Sequence, residues 1–202
     1  MRGIFNSTFD EVLSLSWPTL FIAIVLVVTI RIGYLIKHQD EFIFYREMLY
    51  LFFMLYILCL FQLVTKDDLN AISSNNYTLF KEMFRYKVGS RLFYRNIIGN
   101  VLMFIPYGFF ASYYINIKKP LTAFLIIAMA SVSIEITQLV IGRVFDVDDI
   151  LLNIFGGMLG YILYTFIVKV SGLLPKVFRS KVFLNIITTL ILILGLFFIV
   201  WR

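Results

Sequence analysis

LTAFLIIAMASVSIEITQLVI, at residues 121–141, is an apolar run interrupted by a single charged residue, Glu135. A helix of about 20 apolar residues is long enough to cross the hydrocarbon core of a bilayer, which is roughly 30 Å thick. This run therefore predicts a transmembrane helix.

The rest of the chain repeats this pattern. The protein has 202 residues, of which 61% are hydrophobic and 15% are charged, so a soluble fold of this length could not bury its apolar surface. Six runs are long enough to span a membrane: 17–36, 48–64, 97–115, 121–141, 150–168 and 182–201. The sequence predicts an all-α polytopic membrane protein, with about six transmembrane helices in a single domain over residues 1–202.

Composition also excludes several classes of protein. The net charge of +6 comes from Lys and Arg residues between the apolar runs, which indicates membrane-flanking charge and no nucleic-acid partner. His38 and Cys59 are the only histidine and cysteine, too few for a zinc site built from these residues or for a disulfide framework. The N-terminus lacks the form of a secretory signal, so we expect the first span to be retained.

Polar residues gather at the start of the third span, the end of the fourth and the start of the fifth. Inserting an ionised side chain near the centre of a span costs roughly 2.5 to 3.5 kcal/mol of free energy on insertion scales. Polar residues within a span therefore indicate a structural or functional role. Consecutive spans alternate in direction, which brings these three segments to the same membrane face. The sequence predicts a shallow polar pocket there, formed by Asn96, Asn100, Glu135, Gln138, Arg143, Asp146, Asp149 and Asn153.

The chemistry of this pocket has several interpretations. Its carboxyl groups could hold a hard cation, serve as acid and base, or bind a cationic or amide-rich ligand. In an enzyme, Glu135 would be the base, and Asp146 and Asp149 would be the acid or the cation ligands. Polar residues also hydrogen-bond between membrane helices as a purely structural contact, worth about 0.6 kcal/mol each. No serine or cysteine stands beside a histidine, which argues against a triad hydrolase.

Two other segments carry structural predictions. Gly156 and Gly160 form a small-xxx-small pair that allows close helix approach. The long connection at residues 66–95 places Phe80, Met83 and Phe84 at helical spacing, which is typical of an interfacial helix, although a solvated loop is the alternative.

The polar and glycine residues together resemble the VanZ-like family of membrane proteins, named for teicoplanin resistance. The resemblance covers about residues 77–170 and rests on Asn96-x3-Asn100-x3-Phe104-x-Pro106-x-Gly108, Glu135-x2-Gln138 and Arg143-x2-Asp146-x2-Asp149-x3-Asn153-x2-Gly156-x3-Gly160. It implies a bacterial membrane protein that lowers sensitivity to lipid-tailed glycopeptide antibiotics without rewriting the cell-wall precursor.

The resemblance also implies that the polar face lies outside the cytoplasm. Positive charge is nearly balanced between the two sides, but the short connection with Lys118 and Lys119 favours the same orientation.

Three hypotheses follow. In the first, the outward pocket binds an envelope ligand, either the glycopeptide antibiotic or a lipid-linked precursor. In the second, the protein is an intramembrane enzyme that acts on a lipid-linked or peptide substrate. No cofactor is expected, except that this enzyme could use a divalent cation. The third hypothesis, a transporter, is weaker because the carboxyl groups lie near one face rather than at the midplane.

Overall fold

A computed structural model describes the backbone of residues 2–65, 75–81 and 83–201, and their side chains except those of residues 2–17, 20, 95, 199 and 200. Residues 66–74 of the long predicted connection, and Glu82, lie outside the described residues.

The described chain is built from α-helices. Six of its helices are long and apolar enough to cross a membrane, which confirms the predicted fold class. They are α1 (Arg2–His38), α2 (Phe44–Thr65), α3 (Arg91–Ile115), α4 (Pro120–Val140), α5 (Val147–Leu173) and α6 (Lys181–Val200). Within the described ranges the chain forms no β-strand, and its single β-bridge joins Asn76 and Asp146.

The ends of the helices follow from local chemistry. Asn116, with φ of 55°, closes α3 in the left-handed conformation that asparagine tolerates. Pro120 then begins α4 at a position where its missing N–H costs nothing. The first part of α3 contains a π-helical turn at Tyr94–Ile98, and the helix continues through Pro106.

Residues 63–169 form one of two compact units and contain α3, α4 and most of α5. Phe104, Ala123, Ile127 and Tyr161 are buried at its core. We refer to residues 63–169 as the motif unit because they hold all eight predicted site residues.

Glycines set the distance between α3 and α5, as the small-xxx-small pattern predicts. A Cβ atom added to Gly156 would lie 2.1 Å from the carbonyl oxygen of Val101, and one added to Gly160 would lie 2.0 Å from that of Ile105. Real Cβ atoms do not approach carbonyl oxygens so closely. The two helix backbones are therefore in direct contact along one face of α5.

The second unit comprises residues 1–62 and 170–202 and is held by polar contacts between helices. Arg31 of α1 makes a bidentate ion pair with Glu47 of α2, at 2.7 and 3.1 Å, and its guanidinium lies 4.6 Å from the centre of the Tyr50 ring. Asn185 of α6 accepts a hydrogen bond from the backbone N–H of Tyr45. These contacts satisfy polar groups that would otherwise be costly in lipid.

The segment before α3 is a loop and not the interfacial helix that its spacing predicts. It forms turns rather than a helix, and Phe80 has φ of 65°, which a right-handed helix does not allow. The predicted interfacial helix is therefore wrong. Most of its described residues are exposed, as the alternative of a solvated loop predicts, but Asn76 is only 3% exposed.

Candidate functional site

Chain direction brings the start of α3, the end of α4 and the start of α5 to one face of the motif unit. Asn100 Nδ2 of α3 donates to Asp149 Oδ1 of α5 at 2.5 Å. Glu135 Oε2 of α4 accepts from the backbone N–H of Asp146 at 3.0 Å. These two bonds join the three segments that the sequence predicts to meet.

Glu135 and Asn153 are the deepest of the predicted site residues. Glu135 is 1% exposed and Asn153 is 4% exposed, whereas Asp149 and Asn100 are half-buried. Asn153 follows Asp149 by four residues on α5, so the two share a helix face. Asn153 Oδ1 has no hydrogen-bond partner among the described residues.

Acidic groups lie close together at this face. Glu135 of α4 binds the backbone N–H of Asp146, and Asp149 follows Asp146 by three residues in the first turn of α5. Carboxyl groups from α4, from α5 and from the connection between them therefore lie at one face of the motif unit. This cluster of Glu135, Asp146, Asp149, Asn100 and Asn153 is called the acidic cluster below.

Arg143 and Gln138 lie against the end of α2. Arg143 Nη1 donates to the backbone carbonyl oxygen of Val64 at 2.7 Å, and Gln138 Nε2 lies 3.5 Å from the same oxygen. The last carbonyl groups of a helix lack partners within the helix and carry partial negative charge, so a guanidinium stabilises them. These two residues therefore fasten the end of α2 to the connection between α4 and α5.

Asn96 lies in the π-helical turn of α3 and is half-buried, one turn before Asn100. Turns of this kind are rare and often occur at functional sites. No described contact joins Asn96 to the acidic cluster.

Sequence reasoning missed Asp148. This residue is 1% exposed, and its carboxylate accepts hydrogen bonds from the backbone N–H groups of Phe80, at 2.5 Å, and Met83, at 3.1 Å. A signal was present, because Asp148 and Asp149 are adjacent acids in the first turn of a helix and must point in different directions. Only one of them could face the acidic cluster.

Asn76 was also missed. Its Nδ2 donates to Asp146 Oδ1 at 2.8 Å, while its backbone N–H donates to the carbonyl oxygen of Phe145 and its carbonyl accepts from the N–H of Val147. Because Asp146 and Asp148 both accept hydrogen bonds from the segment before α3, residues 75–81 and Met83 lie across the connection between α4 and α5. We call residues 75–81 and Met83 the strap.

The described residues contain no group of three or more His, Cys, Asp or Glu side chains arranged to hold a metal ion. The carboxyl groups of the acidic cluster are neighbours, but within the described ranges they are not arranged as the ligands of a metal ion.

Comparison with known proteins agrees with this picture of the motif unit. The model of the VanZ/LLP1 family matches residues 47–169, which is more than half of the chain. The chain belongs to the VanZ/LLP1 family. The match includes α3, α4, the acidic cluster, the strap and most of α5. A search of the curated proteins and a search of the solved structures found no match.

Membership in the VanZ/LLP1 family and the six apolar helices establish a multi-pass membrane protein that contacts the lipid bilayer. The family match begins within α2, before the region of the sequence motif at about 77–170. Residues at the end of α2 thus belong to the matched region, in keeping with the contact between Arg143 and Val64.

Proposed function

We propose that this protein lowers the sensitivity of a bacterial cell to teicoplanin and other lipid-tailed glycopeptide antibiotics. In this proposal the acidic cluster faces outward from the cell membrane and engages an envelope ligand, which is the antibiotic itself or a lipid-linked precursor. Membership in the VanZ/LLP1 family supports the proposal, since the sequence resemblance implies this activity.

The observation that carries the proposal is the buried and incompletely paired polar cluster. Polar residues that only join membrane helices should satisfy one another, because an unpaired polar group in a low-dielectric site is costly. Asn153 Oδ1 has no hydrogen-bond partner among the described residues, although Asn153 is only 4% exposed. A buried unpaired group of this kind needs an explanation, and the proposal supplies a ligand that completes it.

The orientation of the cluster is part of the proposal. The connection between α3 and α4 carries Lys118 and Lys119, and positively charged short connections favour the cytoplasmic side. The acidic cluster lies at the other end of these helices and would therefore face out of the cell. Lipid-tailed ligands insert in the outer leaflet, where such a cluster could meet their polar parts.

Expression in a susceptible cell tests the proposed function. We expect the gene to raise the inhibitory concentration of teicoplanin more than that of vancomycin, which has no lipid tail. Asp149→Asn and Glu135→Gln should each abolish the increase while the protein is still inserted in the membrane. Glu41→Gln, which alters an exposed glutamate outside the motif unit, is the matched control and should retain resistance, because its surface ion pair with Lys181 contributes little to stability. Full resistance in both cluster variants would refute the proposal.

A second candidate is an intramembrane enzyme. It is favoured by Glu135 and Asp149, two carboxyl groups that α4 and α5 bring to one face of the motif unit, since neighbouring carboxyl groups in a buried site can act as acid and base. Purified protein incubated with a lipid-linked peptide substrate should then release product, and Glu135→Gln should stop the release. Stoichiometric binding without product would discard the enzyme and leave the first proposal in place.

A further inference from the structure

An exposed pair of aromatic rings lies at the end of the strap. Phe80 is 50% exposed and Phe84 is 84% exposed, and the centres of their rings are 6.2 Å apart. The backbone N–H of Phe84 donates to the carbonyl oxygen of Phe80 at 3.2 Å, so one turn of the chain presents both rings. Val88 is exposed as well. Large apolar side chains that a fold leaves exposed together mark an interaction site.

The buried carboxylate of Asp148 holds this turn in place. It accepts hydrogen bonds from the backbone N–H groups of Phe80 and Met83, at 2.5 and 3.1 Å. These bonds fix the backbone of the turn and leave the aromatic side chains outside. The exposure of the two rings is therefore a property of a fixed turn.

The turn lies at the level where two spans begin. Met83 is bound to Asp148, in the first turn of α5, and Ser90 caps α3 immediately before Arg91. The spans α3 and α5 have 25 and 27 residues, which at a rise of 1.5 Å per residue makes them about 37 and 40 Å long. The hydrocarbon core is roughly 30 Å thick, and the bilayer with its headgroups is roughly 40 to 45 Å thick. The first turns of both helices therefore reach the headgroup layer.

Basic residues surround the aromatic pair. Lys81, Arg85, Lys87 and Arg91 are all exposed. Residues 77–95 contain five basic residues and one acidic residue, so the segment carries a clear positive excess. Aromatic side chains favour the level of the headgroups, and basic side chains attract anionic lipids. The charge of this segment is thus complementary to an anionic membrane surface.

We propose that the surface formed by Phe80, Lys81, Phe84, Lys87 and Val88 inserts into the headgroup layer of the bilayer and binds anionic phospholipid. We call it the aromatic-basic surface. Its rings reach the upper part of the acyl chains, and its ammonium groups pair with lipid phosphate. The surface lies outside the acidic cluster, so the inference does not depend on what that cluster binds or on the orientation of the chain.

Insertion of this surface has a consequence for the acidic cluster. Asp146 and Asp148 hold the strap against the connection between α4 and α5. A strap anchored in the headgroup layer therefore keeps this connection, and the acidic cluster beside it, at a fixed depth. Only a side chain as long as phenylalanine reaches below the headgroups, so Phe84→Cys leaves a thiol that water-soluble reagents can reach.

Tryptophan fluorescence in liposomes tests the insertion. In the full-length protein with both native tryptophans replaced by phenylalanine, Phe84→Trp places a reporter on the aromatic-basic surface. Because Phe84 is largely exposed, this variant should keep the thermal unfolding midpoint of its background. Lipids brominated along their acyl chains quench a tryptophan that touches them, whereas acrylamide on both sides of the bilayer quenches a tryptophan in water. Leu102→Trp, at an exposed position of α3, is the reference for lipid contact.

We expect brominated lipid to quench Phe84→Trp nearly as strongly as Leu102→Trp. If brominated lipid does not quench the reporter, acrylamide shows what surrounds it. Quenching by acrylamide alone would mean that the surface lies in water, and quenching by neither reagent would mean that protein, such as a second copy of the chain, covers it. Either result overturns the proposal.

The same reporter measures the preference for anionic lipid. Brominated phosphatidylglycerol, which is anionic, should quench Phe84→Trp at a lower mole fraction than brominated phosphatidylcholine, which is zwitterionic. Lys81→Gln combined with Lys87→Gln should lower this preference by about fivefold or more, because each basic residue near an anionic surface contributes a factor of about five in affinity.

A second double variant is the matched control. Lys118→Gln combined with Lys119→Gln removes the same charge from exposed residues at the other end of α3, and it should leave the preference unchanged. Equal quenching of Phe84→Trp by the two brominated lipids would overturn the proposal. So would an equal loss of preference in the two double variants, because the effect would then come from net charge alone.

Discussion

At the scale of single residues, adjacent acids in the first turn of α5 have different partners. Asp148 binds backbone N–H groups of the strap, at Phe80 and Met83, whereas Asp149 faces Asn100 and the acidic cluster. A helix rotates about 100° per residue, so neighbouring side chains cannot share a face. One residue therefore holds the strap, and the next one supplies an acceptor to the site.

Removing the Asp148 carboxylate should release the strap. Asp148→Ala loses two charge-assisted hydrogen bonds, and we expect a cost of about 2 kcal/mol in local stability. Amide hydrogen exchange at Phe80 and Met83 should become faster by a factor of roughly 30. Asp149→Asn is the matched control, because Asp149 makes no described bond to the strap. Unchanged exchange in Asp148→Ala would show that the strap is held by other contacts.

At the scale of helices, the contact between α3 and α5 decides which polar side chains meet. Gly156 touches the backbone at Val101, the residue after Asn100, and lies three residues after Asn153. The register of this contact therefore places the amide of α3 beside the acids of α5. Side chains larger than hydrogen at the glycine positions would separate the two helices.

Gly156→Ala tests the importance of that contact. The added Cβ would lie 2.1 Å from the carbonyl oxygen of Val101, and overpacking against backbone should destabilise the protein by about 3 kcal/mol. Gly172→Ala on the same helix meets no atom within 4 Å, so it should be neutral or stabilise by up to about 1 kcal/mol through helix propensity. Thermal unfolding in detergent compares the two variants. Similar midpoints would contradict the close packing of α3 and α5.

At the scale of the whole molecule, alternation of the spans gives the motif unit two distinct ends. The strap lies at the end with the acidic cluster, and the connection between α3 and α4 lies at the other. In the proposed orientation, the end with the strap and the acidic cluster lies outside the cell.

Cysteine labelling measures this orientation. In a Cys59→Ser background, Phe84→Cys introduces a thiol at an exposed position next to the strap, and Lys118→Cys introduces one at the opposite end. A membrane-impermeant maleimide should label Phe84→Cys in intact cells and Lys118→Cys only after lysis, because the reagent cannot cross the bilayer. The reverse pattern would place the acidic cluster in the cytoplasm and rule out an outward site.

Much of the fold follows from the sequence alone. Transfer of a helix into lipid depends on the composition of about 20 consecutive residues, so six apolar runs were sufficient to predict six helices. Helical spacing and alternating direction also place Asn100, Glu135 and Asp149 at one face. These are local or topological properties, and no knowledge of packing is needed to obtain them.

Only the tertiary structure decided what those residues touch. The bonds from Asn76 to Asp146 and from Phe80 to Asp148 join residues 70 and 68 positions apart. The segment that supplies them has apolar residues at helical spacing, and this spacing predicted a helix where the structure has turns. Long-range pairs of this kind depend on the register in which α3 and α5 pack. That register is set where Gly156 and Gly160 contact the backbone of α3. The sequence supplies these glycines, but it does not specify which residues of α3 they contact.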